Sequence, residues 1–162
     1  MNKSTKNIAL AGLIGALYAA LTIGMAPLSY GPVQVRISES LTVLPYLFPG
    51  TIYGLYFGCM AANIVGGYGL IDILGGSLLT LLAAILTFYS GKIKKPWLAP
   101  LPPVVINAFG VSLYLHVLAD MPYWITVAYI GLGQFLSCYG LGLALLYFLL
   151  KRKRQKGESN WF

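Results

Sequence analysis

Long apolar runs separated by short polar or glycine- and proline-rich joints organise this chain. They extend from Ile8 to Met25, Ser40 to Val65, Leu70 to Tyr89, Trp97 to Ala119 and Tyr123 to Leu150. A helix needs about 20 apolar residues to cross a bilayer, and these runs have that length. The second is ambiguous. Read whole it gives five crossings; divided at Pro49-Gly50, where proline removes a backbone donor and glycine loosens the chain, it gives six. The piece from Ser40 to Phe48 is then short for a crossing at about 1.5 Å per residue, so it must tilt or lean on the preceding loop. That loop, Ala26 to Ser38, carries Pro27, Gly31 and Pro32 and then the alternating Val33-Gln34-Val35-Arg36-Ile37, which predicts a short strand-like or extended piece folded over the bundle. Gly66-Gly67-Tyr68-Gly69 has the flexibility of a lid, and Asp120-Met121-Pro122 closes a third loop.

Charge decides between five and six. The basic residues cluster as Lys3 and Lys6, then Lys92, Lys94 and Lys95, then Lys151, Arg152, Lys153, Arg154 and Lys156. Six crossings with the N-terminus inside put all of these on the cytoplasmic side; five would put the second and third clusters outside, against the positive-inside rule. The expectation is therefore an all-α integral membrane protein of six transmembrane helices. Both termini are cytoplasmic, and a structured outer loop joins helices 1 and 2. The run from Ile8 exceeds a signal-peptide core of about 7 to 15 residues, and Ala26-Pro27 is a poor cleavage context, so the first helix is expected to be retained.

Composition sharpens this picture. The 162 residues are 58% hydrophobic and only 9% charged, with mean hydropathy +0.76, which excludes a soluble fold and leaves one membrane domain, residues 1–162, with a basic tail at 151–162. The net charge of +7 belongs to the anchoring clusters, which face anionic lipid headgroups; no stacking aromatics interleave them, so nucleic acid is not a partner. Cys59 and Cys138 fall in apolar stretches and suggest neither a disulfide nor a metal site. No cofactor is implied.

Against this apolar background the few polar residues carry the functional signal. In the six-crossing orientation Arg36 and Glu39 lie at the outer mouth before helix 2, Asn63 near the outer end of helix 3 and Asp72 in the first turn of helix 4. Asn107 and Gln134 sit near the midplane on helices 5 and 6. Together they suggest a pocket open to the outside. Each has a plainer reading. Glu39 and Asp72 suit helix starts, Arg36 can pair with Glu39, and the amides can serve as interhelical hydrogen bonds. His116 reads as an interfacial residue, and Trp97 and Trp124 as members of an aromatic belt. A carboxylate, amides and nearby tyrosines suit a small flat ligand with N–H donors on one edge and a stackable face. There is no phosphate-binding glycine loop followed by lysine and no nucleophile–base pair, so neither ATP hydrolysis nor another enzymatic activity is expected. On helix 1, Ala11, Gly15 and Ala19, and equally Gly12, Ala16 and Ala20, form small-residue stripes that permit close approach of another helix, inside this chain or outside it.

The stretches Gly31-Pro-Val-Gln-Val-Arg-Ile-Ser-Glu-Ser-Leu-Thr-Val-Leu-Pro45, Gly58 to Asn63 and Asp72-Ile-Leu-Gly-Gly-Ser-Leu-Leu-Thr-Leu-Leu82 closely resemble the QueT family. These are substrate-binding S components of energy-coupling factor (ECF) transporters assigned to queuosine precursors. The resemblance covers nearly the whole chain. It implies six helices and an outward-facing pocket in a multi-pass protein of the prokaryotic cell membrane. The implied ligand is a 7-deazaguanine such as preQ1 or preQ0, and the implied partner is a module of two ATPases and a transmembrane coupling protein. It assigns one of the two helix 1 stripes to docking on the coupling protein. Gln134 stands where the resemblance leads one to expect a glutamate. In this reading Glu39 accepts the adjacent N–H and exocyclic amine of the ligand, Asn63, Asn107 and Gln134 read its other edges, Asp72 suits an aminomethyl cation if the ligand carries one, and Arg36 holds Glu39 and the loop in place. The rivals are a self-sufficient secondary transporter or channel and a membrane enzyme using Asp72 and Glu39 as acid and base. Paired broken helices and midplane acid chains, which would favour the first, are missing from the sequence.

Overall fold

The computed structural model describes residues 2–31 and 34–155, and within them every regular element is helical. In chain order these are α1 (Lys3–Gly24), a short α2 (Ala26–Ser29), a 3-10 helix (Ile37–Tyr46), α3 (Thr51–Gly66), a π-helical segment (Asp72–Gly76) running into α4 (Ser77–Lys92), a single 3-10 turn (Pro96–Leu98), α5 (Leu101–Ala119), α6 (Tyr123–Phe135), a second π-helical segment (Leu136–Gly142) and α7 (Leu143–Gln155). Among the described residues four helices are long and apolar enough to cross a membrane: Ser4–Gly24, Asp72–Lys92, Pro96–Ala119 and the continuous Tyr123–Gln155. Large apolar side chains on their outer faces, among them Leu13, Leu78, Phe109 and Trp124, are exposed, as lipid contact requires.

The ambiguous apolar run divides where the sequence suggested. A 3-10 helix ends at Tyr46, the chain turns through Pro49 and Gly50, and α3 begins at Thr51, whose hydroxyl caps the turn by donating to the Phe48 carbonyl at 2.7 Å. The short first piece gains reach from its winding. At about 2.0 Å rise per residue, ten residues in 3-10 geometry span about 20 Å against about 15 Å as an α-helix.

Of the expected strand-like or extended piece, no strand forms among the described residues: Pro32 and Val33 lie outside them, Gln34 to Arg36 are irregular with Arg36 itself extended, and Ile37 already opens the 3-10 helix. The alternation has a different cause: Arg36 turns inward to hydrogen-bond partners while its neighbours stay half-buried.

This 3-10 helix is the axis of the bundle, buried from Ser38 to Tyr46. Leu41 and Leu44 pack with Ile14 and Tyr18 of α1, Leu55 and Cys59 of α3, and Ala84 of α4. Val43, Tyr46 and Leu47 pack against Ala99 and Leu146 on the other side. With three residues per turn, Glu39 and Thr42 share one row, so the same winding that carries apolar side chains to both clusters presents a polar row to the remaining helices.

Helix α1 lies against α3 at backbone distance. A Cβ on Gly54 would overlap the Ala11 carbonyl oxygen, and one on Gly58 would stand 2.6 Å from that of Gly15. Ala11 and Gly15 are therefore engaged inside the chain, whereas Gly12, Ala16 and Ala20 remain exposed.

Candidate functional site

All six polar residues singled out from the sequence are buried, and hydrogen bonds link them into two neighbouring groups. The first surrounds Glu39, on the polar row of the 3-10 helix. Its Oε1 accepts a hydrogen bond from the Tyr18 hydroxyl of α1, and its Oε2 accepts one from Asn107 Nδ2 of α5 at 3.3 Å. Gln134, in the last turn of α6, also interacts with this carboxylate. The Glu39 carbonyl is held by the Thr42 hydroxyl at 2.6 Å and by the Cys138 thiol at 3.4 Å. Immediately before Glu39, Ser38 and Thr22 of α1 share a 2.6 Å hydrogen bond that fixes the start of the 3-10 helix.

The second group surrounds Asp72 in the first π-helical segment. Its Oδ1 accepts from the Tyr114 hydroxyl of α5, and its backbone carbonyl accepts from Asn63 Nδ2 at 3.0 Å. Asn63 faces the other way with its oxygen, which accepts from Arg36 Nη1 at 3.2 Å. The Cys59 sulfur receives Thr80 Oγ1 at 3.3 Å and Asn63 Nδ2 at 3.6 Å. A π-helical turn is uncommon and recurs at functional sites; here it sets Asp72 inward, next to the last turn of α3.

Arg36 belongs to the second group through Asn63 and acts on both acids only at longer range, not by the ion pair the sequence suggested. Among the described residues it pairs directly with neither acid: Nε donates to the Ser29 carbonyl at 3.3 Å, Nη1 holds Asn63, and the guanidinium lies 5.6 Å from the Tyr30 ring centroid. Both Glu39 and Asp72 are within its electrostatic reach. Its rigid fork suits this role better than an ammonium would, because three partners at fixed angles are held at once.

Several buried polar atoms are without a partner. Asp72 Oδ2 and Asn107 Oδ1, on the two acid groups, and Ser112 Oγ on α5 make no hydrogen bond. Leaving such atoms unsatisfied costs about 1–3 kcal/mol each, more for a charged group.

Sequence reading missed Tyr18 and Tyr114. Tyr114 follows Asn107 by seven residues, two helical turns, so the two necessarily share a face of α5 and tether the two carboxylates at points about 10 Å apart along it. Tyr18 is four residues from Ile14 on the buried face of α1, opposite the exposed small residues. The thiols of Cys59 and Cys138, read as buried hydrophobes, are buried but sit within the polar network. His116 is exposed and bonded to the Met121 carbonyl at 2.7 Å, apart from both groups.

A chain of apolar helices that gathers two acids, a guanidinium and three amides in its interior fits the comparison with known proteins. The family described as QueT transporter matches residues 8–151. The chain belongs to the QueT transporter family. Among curated proteins, the queuosine precursor transporter QueT of Lactococcus lactis subsp. cremoris (strain MG1363) is 30% identical over 153 residues, covering 86% of this chain and 90% of that one. No solved structure matches the chain. Membership makes this QueT chain a transporter and not an enzyme, and its apolar helices make it a multi-pass membrane protein.

Proposed function

We propose that this chain is the substrate-capture subunit of an energy-coupling factor importer that takes up a queuosine precursor, a 7-deazaguanine, at the outer face of the cell membrane. The single domain, residues 1–162, crosses six times with both termini inside. The 3-10 helix with its flanking residues and α3 supply the two shorter crossings, and the three basic clusters then share the cytoplasmic side. A separate module of two ATPases and a coupling protein drives release into the cell.

The observation that carries this reading is the convergence of Arg36, Glu39, Asn63, Asp72, Asn107 and Gln134 in one buried network with unpartnered acceptors, inside a member of a transporter family. A deazaguanine offers N–H groups on one edge and a flat face. Glu39 keeps lone pairs beyond the two that Tyr18 and Asn107 occupy, so it can accept the adjacent ring N–H and amine, while Asn63, Asn107 and Gln134 read the remaining edge. The test is calorimetric titration of the purified chain with 7-deazaguanines, followed by reconstitution. One-to-one binding, with uptake only when the coupling protein and ATPases are present with ATP, is the expected result. Absence of binding, or concentrative uptake by the chain alone on a proton gradient, would overturn it.

The coupling protein meets the open face of α1. Between α1 and α3 lies a surface groove of about 790 Å³, lined by Gly12, Ala16, Ala19, Tyr53, Phe57 and Ala61 among others. Ala11 and Gly15 also line this groove but are partly covered by their contact with α3, so the more exposed Gly12 and Ala16 beside them are the centre of the docking face. Ala16→Trp should fill the groove from the lipid side without touching the interior. Ligand affinity should stay within about 2-fold of the parent, as for exposed substitutions, while co-purification with the module is lost. Retained assembly would place docking elsewhere.

A further inference from the structure

The second π-helical segment, Leu136–Gly142, packs along the 3-10 helix that carries Glu39, and two of its residues, four positions apart, face that helix. A Cβ on Gly142 would stand 3.0 Å from the Ser40 carbonyl oxygen and 3.0 Å from Val43 Cγ1, so the two backbones meet there. About one turn earlier the buried Cys138 thiol lies 3.4 Å from the Glu39 carbonyl oxygen, 3.6 Å from Gln134 Oε1 and 3.7 Å from Thr42 Oγ1. A thiol has one proton, and these acceptors need it unequally. The Glu39 carbonyl already receives the Thr42 hydroxyl at 2.6 Å. Gln134 Oε1, on a side chain 3% exposed, has among the described residues no donor besides the thiol.

We propose that Cys138 is a positioning residue for substrate capture, whose thiol proton holds the Gln134 amide with its oxygen turned away from Glu39 and Nε2 turned toward the carboxylate. This rests on the deazaguanine reading given above and adds to it a residue that touches no ligand. Donor chemistry leaves one orientation. An ionised carboxylate only accepts, so the Gln134 atom that hydrogen-bonds Glu39 is Nε2, and the amide oxygen then faces the thiol, which donates. Without that proton the amide either keeps Nε2 on Glu39 and leaves a buried oxygen unpaired, or swings away and leaves Glu39 one donor short. A side chain released in this way has to be ordered again before the ligand can seat against it, a cost that a preorganised site does not carry. The π-helical winding serves the same end, because the face that brings Gly142 against Ser40 also brings Cys138 under Glu39.

The experiment titrates the purified full-length chain with 7-aminomethyl-7-deazaguanine and 7-cyano-7-deazaguanine, comparing the parent with Cys138→Ser and Cys138→Ala, and records thermal unfolding of each without ligand. Serine keeps a donor at this place and should bind within about 2-fold of the parent, whereas alanine should bind about 5- to 10-fold more weakly, the worth of one neutral hydrogen bond. Cys138→Val, which fills the space without supplying a proton, replaces alanine if the alanine protein does not fold. The alanine effect should shrink to within about 2-fold when Gln134 is replaced by methionine, because the proton then has no amide oxygen to hold. If Gln134→Met abolishes binding, the comparison of serine with alanine decides alone. Parent-like affinity of the alanine form, equal losses in serine and alanine, or a full alanine effect in the Gln134→Met chain overturns this inference and leaves the proposed function standing. Failure of the parent to bind either compound removes both readings together.

Discussion

Replacing Glu39 by glutamine is expected to weaken 7-deazaguanine binding by at least about 100-fold while leaving the protein folded. The two halves of that expectation have different origins. Binding suffers because the amide presents one acceptor where the carboxylate presented two, and because it carries no charge to attract the N–H pair of the ligand. Folding survives because the local hydrogen bonds can be re-formed. Glu39 receives donors from Tyr18 and Asn107, and Asn107 Oδ1 is unpartnered; turning the Asn107 amide over lets that oxygen accept from the new Nε2, while Tyr18 continues to donate to the remaining oxygen. Removing a buried carboxylate also removes its desolvation penalty, so the ligand-free variant should unfold at the parent temperature or slightly above. Calorimetry and thermal unfolding in the same detergent measure both halves. An unchanged affinity would take Glu39 out of the site, and a collapse in stability with binding lost would assign it to the fold instead.

The sequence marked the members of this buried polar network more clearly than its wiring, for physical reasons that can be named. Charge is so expensive in hydrocarbon that Arg36, Glu39 and Asp72 stand out in a chain only 9% charged, and the amides stand out almost as well. Tyrosines do not. They are common at membrane interfaces, so nothing in composition separates Tyr18 and Tyr114, which hold the two acids, from Tyr53 or Tyr129, which are exposed. Arg36 illustrates the same limit from the other direction: its proximity to Glu39 in sequence suggested a pair, but the start of the 3-10 helix at Ile37 turns the guanidinium toward Asn63, a residue 27 positions away. Winding was equally hidden. Hydrophobicity marks where a segment is buried, and it does so alike for 3-10, α and π geometry. The sequence therefore located the break at Pro49-Gly50 but not the ten-residue 3-10 helix before it, nor the π-helical segments at Asp72 and Leu136. The small-residue stripes on α1 were legible as a pair, and only the position of α3 distinguishes the face used internally from the one left open.

That internal contact gives the second large effect. Gly54→Ala should destabilise the chain by about 3 kcal/mol or more, at the upper end of what overpacking costs, and should abolish recovery of folded protein if the parent is only marginally stable in detergent. The reason is geometric. The added methyl would overlap the Ala11 carbonyl, a backbone atom that no side-chain rotation can move, so α1 and α3 would have to separate along their length. Separation has a consequence beyond the contact itself. Tyr18 reaches Glu39 from α1, and Cys59 and Asn63 reach the Asp72 group from α3, so a shift between these helices loosens both polar groups together. The same substitution at Gly12 meets open space and should cost nothing measurable, which provides an internal control on the same helix pair. Thermal unfolding of the two variants side by side decides the matter. A Gly54→Ala protein as stable as Gly12→Ala would show that the helices have room to spare.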